Sequence, residues 1–358
     1  MSVHTVVSHV HRLAPSASEI CDAREHEFFW RQVLALWQLP PHITHFPGPN
    51  PMSIEKRDFD SLTENDFMVA LKTDGVRHLL MLTTKPNSTE PIALMIDRTK
   101  RMYEIEVWAN EDFFENGSLY DGELVWEQND LVYIVFDAIN VRGNICTKLS
   151  YRERIDLIHG TILCTSEQHS EEILEGMISE ECKLLARNNT PHPLRIMPKT
   201  CVSKAEVAAL WRERAQSRHL NDGLIFTMNN APIETGTSAS ILKWKPQHSI
   251  DVRFELGANQ VWHMYANMNH SGGLTPLQDV DPALSFRLAE SKLLAAIHTR
   301  QPCVVECVLH FEGDTLVLVP ERERTDKSAP NALNTIAATV RNVRENLSVD
   351  DLIALVHG

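Results

Sequence analysis

Lys72-Thr73-Asp74-Gly75-Val76-Arg77 sets a lysine at the end of an apolar run, followed by an Asp-Gly turn and a fixed cation. A strand-end amine is partly desolvated, and cationic neighbours depress its pKa further and free its lone pair for attack. On its own the string also fits a hairpin turn with a solvated lysine. Further strings shift that balance. Asp121-Gly122-Glu123-Leu124-Val125 puts a carboxylate at the start of a strand, suited to ligand hydroxyls or a metal. Tyr133-Ile134-Val135-Phe136-Asp137 places a ring one residue before a carboxylate, and Asp222-Gly223-Leu224-Ile225-Phe226 repeats the acid-glycine-apolar order. Leu242-Lys243-Trp244-Lys245-Pro246 has two lysines at period two, so both amines face one side of a strand. Unpaired inward lysines are costly, which makes a bound phosphate their natural partner. Arg324-Thr325-Asp326-Lys327 adds two more cations. Together they offer an amine suited to nucleophilic attack and cations suited to a phosphate.

These groups need strands to hold them. Phe67–Lys72, His78–Thr83, Pro91–Asp97, Arg101–Val107, Leu119–Trp126 and Leu131–Asp137 are rich in β-branched and aromatic residues and separated by turn-prone clusters. Strands so close in sequence leave no room for crossover helices, so the sheet is antiparallel or mixed. Ser16 to Glu19 is a capping box opening a helix to about Trp37; Ser150 to about Arg187 is helical, and Ser203 to Glu206 opens a helix to about Arg218. Gly223–Met228 and Ile241–Lys245 are strands. After Pro246, strands at Ile250–Glu255, Val261–Ala266, Cys303–Phe311 and Thr315–Pro320 suggest a small barrel, interrupted around Pro282–Arg300, with helix from about Asn331.

The 358 residues favour two domains, and 43% hydrophobic with 23% charged residues is ordinary globular usage. No apolar stretch reaches the ~20 residues that span a bilayer, so no membrane partner is expected. Seven cysteines without paired spacing read as reduced thiols, and 17 histidines show no zinc-site spacing. Cys303 and Cys307 share one strand face and read as core. A net charge of −14 excludes a broad positive surface that coats nucleic acid.

In this order, the strings resemble the covalent nucleotidyltransferase superfamily of polynucleotide ligases and mRNA capping enzymes, and specifically the capping guanylyltransferases. Motif I lies at Lys72–Arg77, III at Asp121–Val125, IIIa at Tyr133–Asp137, IV at Asp222–Phe226, V at Leu242–Pro246 and VI at Arg324–Lys327. Thr73, Lys-Trp-Lys-Pro, Arg-Thr-Asp-Lys, Phe46-Pro47-Gly48, Pro51-Met52-Ser53, Gly236-Thr237 and Ser249-Ile250-Asp251 resemble the capping branch. The match runs from about Phe46 to the end and is weaker at Cys164–Arg195 and Pro282–Arg300.

The resemblance implies an α+β fold. Residues 1–45 would form an arm and helix, and 46–245 a nucleotidyltransferase domain with antiparallel or mixed sheets (the ATP-grasp-like ligase and capping fold). Residues 246–358 would form an OB-fold β-barrel with a terminal helical segment. It implies that Lys72 attacks the α-phosphate of GTP, holds GMP as a phosphoramidate, and passes it to the 5′-diphosphate end of RNA to make the GpppN cap. Thr73 would belong to the nucleotide site, Arg77 and Glu123 would contact ribose, Phe136 and Ile225 would sandwich guanine, and Lys199 would read the guanine oxygen. Lys243 and Lys245 would serve the α-phosphate and the base side. Arg324 and Lys327 would grip the β and γ phosphates as the second domain closes. Asp222 would support Mg²⁺ or Mn²⁺ or the nucleophile, and Asp251 would aid the phosphate steps. No His-Cys-x5-Arg loop is present and the segment before Phe46 is short, so a separate RNA 5′-triphosphatase is expected. The family further implies a nuclear setting (cytoplasm or virion for a viral chain) and docking on a phosphorylated RNA polymerase II tail. Rival readings are an ATP-dependent ligase using the same lysine, and a catalytically dead adaptor.

Overall fold

Apolar residues at successive positions of a strand point to opposite faces, so a strand apolar at every position must be covered on both sides. The run Leu79–Leu82 is such a stretch. The computed structural model describes residues 18–105, 107–127, 130–162, 184–186, 195–268, 273–297, 302–325 and 327–357, which fall into two compact units. The first comprises 1–52 and 64–243, the second 53–63 and 244–358. Residues 53–63, which sequence order assigns to the first domain, thus belong to the second unit.

In the first unit, helix α1 (Ala23–Trp37) precedes strands β1 (Phe67–Thr73), β2 (Val76–Thr84), β3 (Pro91–Asp97), β4 (Met102–Ile105), β5 (Ser118–Glu127) and β6 (Asp130–Val141). Helix α2 (Tyr151–Thr161) and strands β7 (Arg195–Pro198), β8 (Asn221–Met228) and β9 (Thr237–Trp244) follow. An eight-stranded sheet runs Ser18–Glu19, β4, β3, β2, β5, β6, Asn144–Ile145, with β7 added parallel to β6. Leu79, Met81, Ile92 and Leu94 pack on Phe29, Trp30, Val33 and Trp37 of α1. Leu80, Leu82, Ala93 and Met95 fill the opposite face with Tyr120, Tyr133, Ile155 and Ile158. A second sheet of five strands places β1 between Val202–Ser203 and β8, then β9 and Asn50–Ser53.

In the second unit, β10 (His248–Leu256), β11 (Trp262–Asn267), β12 (Cys303–Glu312), β13 (Thr315–Glu323) and helix α3 (Leu333–Glu345) surround a core of Ile250, Val252, Phe254, Val305, Cys307, Leu316, Leu318, Ile336 and Val340. The sheet order is Leu274–Pro276, β11, β10, β12, β13, Ser285–Leu288. This is a mixed α+β architecture, but the expected closed barrel is absent among the described residues, whose strands form an open path. One edge is a three-residue strand ending at Pro276, and proline has no N–H to extend a ladder.

Three helix expectations change. Ser18–Glu19 pairs with β4, and Asp22 caps α1 by accepting from the amides of Arg24 and Glu25 at 2.9 Å, so the helix starts seven residues after Ser16. The Ser150–Glu153 capping box opens α2 as expected, but Leu184–Ala186 is a strand paired with Val107–Ala109; 163–183 lie outside the described residues. The Ser203–Glu206 box opens a short 3-10 turn, followed by a helix over Val207–Glu213 and a second 3-10 turn at Arg214–Gln216. The thiols of Cys21, Cys146, Cys201, Cys303 and Cys307 are free, with Cys146, Cys303 and Cys307 buried.

Candidate active site

The apolar face of β1 ends at Lys72, and antiparallel β8 brings Asp222 to it. Asn221 pairs with Thr73 and Leu224 with Leu71, so the register shifts between them. That bulge re-aims the Asp222 side chain, and Lys72 Nζ donates to Asp222 Oδ1 at 2.8 Å with both side chains partly open to solvent. Ile225 pairs with Ala70 farther along β8.

Lys199 continues β7, its amide donating to Val135 O at 2.7 Å, and its Nζ donates to the hydroxyl of buried Thr73. Burial holds the Lys199 amine below its ordinary pKa despite the attraction of Glu123. Burial in turn pushes the Glu123 carboxyl up, against the pull of Lys199 and Lys72. Lys72, Lys199, Glu123 and Asp222 therefore form one electrostatic group, two lysine amines among two carboxylates.

Arg77 lies opposite Glu123 in the β2–β5 pairing. Its Nε donates to Asp121 Oδ1 at 2.9 Å, its Nη2 to Asp121 Oδ2, and its Nη1 to Pro49 O. Its guanidinium carbon lies 5.4 Å from the Phe46 ring centre and 5.5 Å from that of Phe136. A side chain at Gly48 would run into Arg77 Nη2, so the Phe46–Pro49 loop needs glycine there. Asp121 corrects the sequence reading. It lies inside β5 rather than at its start, is 1% exposed, and gives both oxygens to Arg77 instead of facing a ligand or metal.

Phe136 is held from behind. The Tyr151 hydroxyl donates to Phe136 O at 3.0 Å. Arg154 grips Asp137 with Nε to Oδ1 at 2.6 Å and Nη2 to Oδ2 at 3.1 Å, and its own side chain is 2% exposed. Removing one partner of such a buried pair strands the other charge, at a cost of about 3–5 kcal/mol. Arg154→Ala is therefore expected to lower the thermal midpoint by ~10 °C; a melt within two degrees of the parent would show the pair to be dispensable.

In the second unit Asp251 lies on β10, facing away from the core. It accepts from Arg324 Nη1 at 3.0 Å and from Lys327 Nζ, and its backbone is tied to Asn331 in both directions. Motif V spans the boundary, Lys243 closing one unit and Lys245 lying in the other. Neither lysine lacks a partner.

Sequence reasoning passed over Arg98, whose guanidinium pKa is lowered by burial and by the nearby charge of Arg77, and whose Nη2 donates to Asn50 Oδ1 at 2.9 Å. It also passed over Glu306, which joins the Asp251 group. The signal for Arg98 was an Asp-Arg turn on a buried strand end; Glu306 had only a lone charge between apolar neighbours. Among the described residues no cluster of three His, Cys, Asp or Glu side chains could hold a metal. One partly exposed carboxylate, Asp222, does suit Mg²⁺, which keeps several waters and binds through one or two carboxylates plus substrate phosphates.

Residues 6–247 match the family model described as mRNA capping enzyme, catalytic domain. The chain is 25% identical over 332 residues to the mRNA-capping enzyme subunit alpha of Schizosaccharomyces pombe, covering 86% of this chain and 79% of that protein. It is 28% identical over 243 residues to the subunit of the same name from Saccharomyces cerevisiae, covering 63% of this chain and half of that one. A solved mycobacterial DNA ligase D complexed with ATP and MES aligns with TM-score 0.40 and 14% identity, over 78% of this chain and 96% of the ligase.

Proposed function

The chain belongs to the mRNA capping enzyme catalytic-domain family, and from that premise we propose that it is a GTP:mRNA guanylyltransferase working through Lys72. The neutral Lys72 amine forms a bond to the α-phosphorus of GTP while the bond to the bridging oxygen breaks and pyrophosphate leaves. The terminal phosphate oxygen of a 5′-diphosphate RNA then attacks the same phosphorus, the P–N bond breaks, and Lys72 recovers its amine. The observation that carries this reading is the 2.8 Å contact between Lys72 and Asp222 beside Lys199 and Glu123. Asp222, in contact with the amine, supports the nucleophile and can take the proton that Lys72 loses on attack.

Phe136 stacks on guanine with Ile225 on the other face, Lys199 and Thr73 read its edge, and Arg77 and Glu123 fix the ribose. Arg77 also holds the Phe46–Pro49 loop and meets the Phe136 ring, through its contacts with Asp121 and Pro49. Lys243 and Lys245 serve the α-phosphate and base side, and Arg324 and Lys327, held by Asp251, take the β and γ phosphates. Asp222 would hold Mg²⁺ or Mn²⁺, which supplies charge neutralisation on the phosphate oxygens.

On this reading the first unit, apart from the arm and helix of 1–45, is the ATP-grasp-like nucleotidyltransferase domain, and the second unit is an OB-fold elaborated with helices. The RNA substrate comes from a separate 5′-triphosphatase, and the phosphorylated RNA polymerase II tail recruits the enzyme in the nucleus. No described helix is long and apolar enough to cross a membrane.

The test is incubation with α-labelled GTP or ATP and Mg²⁺ or Mn²⁺, followed by denaturing electrophoresis. Label from GTP that is lost in acid and survives alkali is the expected result. Label from ATP alone would make the chain a ligase, and no label on folded protein would make it an adaptor.

A further inference from the structure

Three neighbouring strands of the second unit bring one charge each to the same face. Asp251 on β10 pairs with Glu306 on β12, and Glu306 pairs with Arg322 on β13. Because Val305 and Cys307 point into the core, period two turns Glu306 to the other face, beside Asp251. Ser249, two residues before Asp251, donates its hydroxyl to Glu306 Oε1 at 2.7 Å. That contact orients the carboxylate, and Oε2 then receives Arg322 Nε at 2.7 Å and lies 3.5 Å from Arg324 Nη1. The Arg324 backbone is fixed as well, its amide donating to Val304 O at 2.7 Å. The Glu306 side chain is 16% exposed and that of Arg324 15%, so solvent screens the group only in part.

We infer that Glu306 is a positioning residue for the first, nucleotide-loading step: it separates Arg322 from Arg324 and holds the Arg324 guanidinium between its own Oε2 and Asp251 Oδ1. This rests on the reading of Arg324 as a β and γ phosphate ligand. A neutral side chain at 306 leaves two guanidinium groups side by side without the intervening charge. They repel, and Arg324 leaves the position in which it meets the phosphates. Transfer of GMP to RNA occurs after pyrophosphate has gone, so it does not use that position.

The experiment compares Glu306→Gln, Arg324→Ala and the double variant in two separate half-reactions. These are formation of labelled enzyme-GMP from GTP, and transfer from preformed enzyme-GMP to 5′-diphosphate RNA. Glu306→Gln is expected to slow loading about tenfold at low GTP, with a smaller effect at saturation and transfer within about twofold of the parent. In the Arg324→Ala background it is expected to add nothing, since its effect passes through Arg324. Ser249→Ala, which loosens the same carboxylate without removing a charge, is expected to slow loading about threefold and serves if Glu306→Gln folds poorly. An equal fall in both half-reactions, no change in loading, or a full effect persisting without Arg324 would overturn the assignment. If Arg324→Ala itself slows both half-reactions equally, the phosphate role of Arg324 fails first, an outcome separate from failure at Glu306 alone.

Discussion

Lys72→Ala is expected to abolish labelling of the protein by α-labelled GTP while leaving it folded. In the proposed mechanism the Lys72 amine becomes bonded to phosphorus, so no neighbouring group takes over at a comparable rate. Loss of a covalent nucleophile costs on the order of 10⁴-fold or more. Lys199 sits beside it, but its Nζ is committed to Thr73 and it follows a different strand. The stability cost is small, because the Lys72 and Asp222 side chains are 22% and 34% exposed and such pairs contribute ~1 kcal/mol or less. Lys72→Arg sharpens the test. It restores the charge and the contact with Asp222, but a guanidinium does not give up its proton at neutral pH and cannot attack. Labelling of Lys72→Ala at the parental rate, with the phosphoramidate on another lysine, would reject the site.

Arg324→Ala is expected to slow formation of enzyme-GMP by about 10²–10³-fold and to change transfer from preformed enzyme-GMP less than about threefold. The asymmetry follows from which phosphates are present. The β and γ phosphates exist at the start of the first step and have left before the second. The guanidinium gives planar paired donors that a lysine cannot replace, so Arg324→Lys recovers only part of the loss. Without Arg324, Asp251 keeps Lys327 and its backbone ties to Asn331, so the fold of the second unit survives. Stopped-flow or quench measurement of the two half-reactions distinguishes this from general damage, which would lower both alike.

Local chemistry is what the sequence displays. The Lys-x-Asp-Gly string, the acid-glycine strings and the two basic strings are contiguous, and their meaning depends on neighbours within a few residues. The Ser150–Glu153 box is legible for the same reason, since its reciprocal bonds close within one turn. The strands from Phe67 to Asp137 are legible because β-branched and aromatic runs separated by turn clusters carry their own period. The start of α1 was misread because two caps competed. Ser16-x-x-Glu19 is the better motif, but pairing of Ser18–Glu19 with a distant strand takes those residues out of the helix.

Partnerships across long stretches of chain are of another kind. Lys72 meets Asp222 over 150 residues of sequence, and only the register shift in β8 selects that aspartate rather than a neighbour. Asp121 looked like a ligand-facing acid because its string shows no partner; the partner, Arg77, is 44 residues away across a strand pair. Glu306 is a single charge in an apolar strand and becomes part of the Asp251 and Arg324 group only when β10, β12 and β13 lie side by side.

The net charge of −14 excluded a positive coat but said nothing of where the cations gather. The amino-acid sequence by itself determined the order of the motifs, the candidate lysine within the first of them, the strand-rich class and the family resemblance, because these are fixed by residue type and short spacing. Tertiary structure decided which carboxylate faces which cation, that Asp121 and Asp251 serve arginines, and that the described sheet of the second unit is open. Those outcomes depend on register and burial, where a shift of one residue turns a side chain to the opposite face.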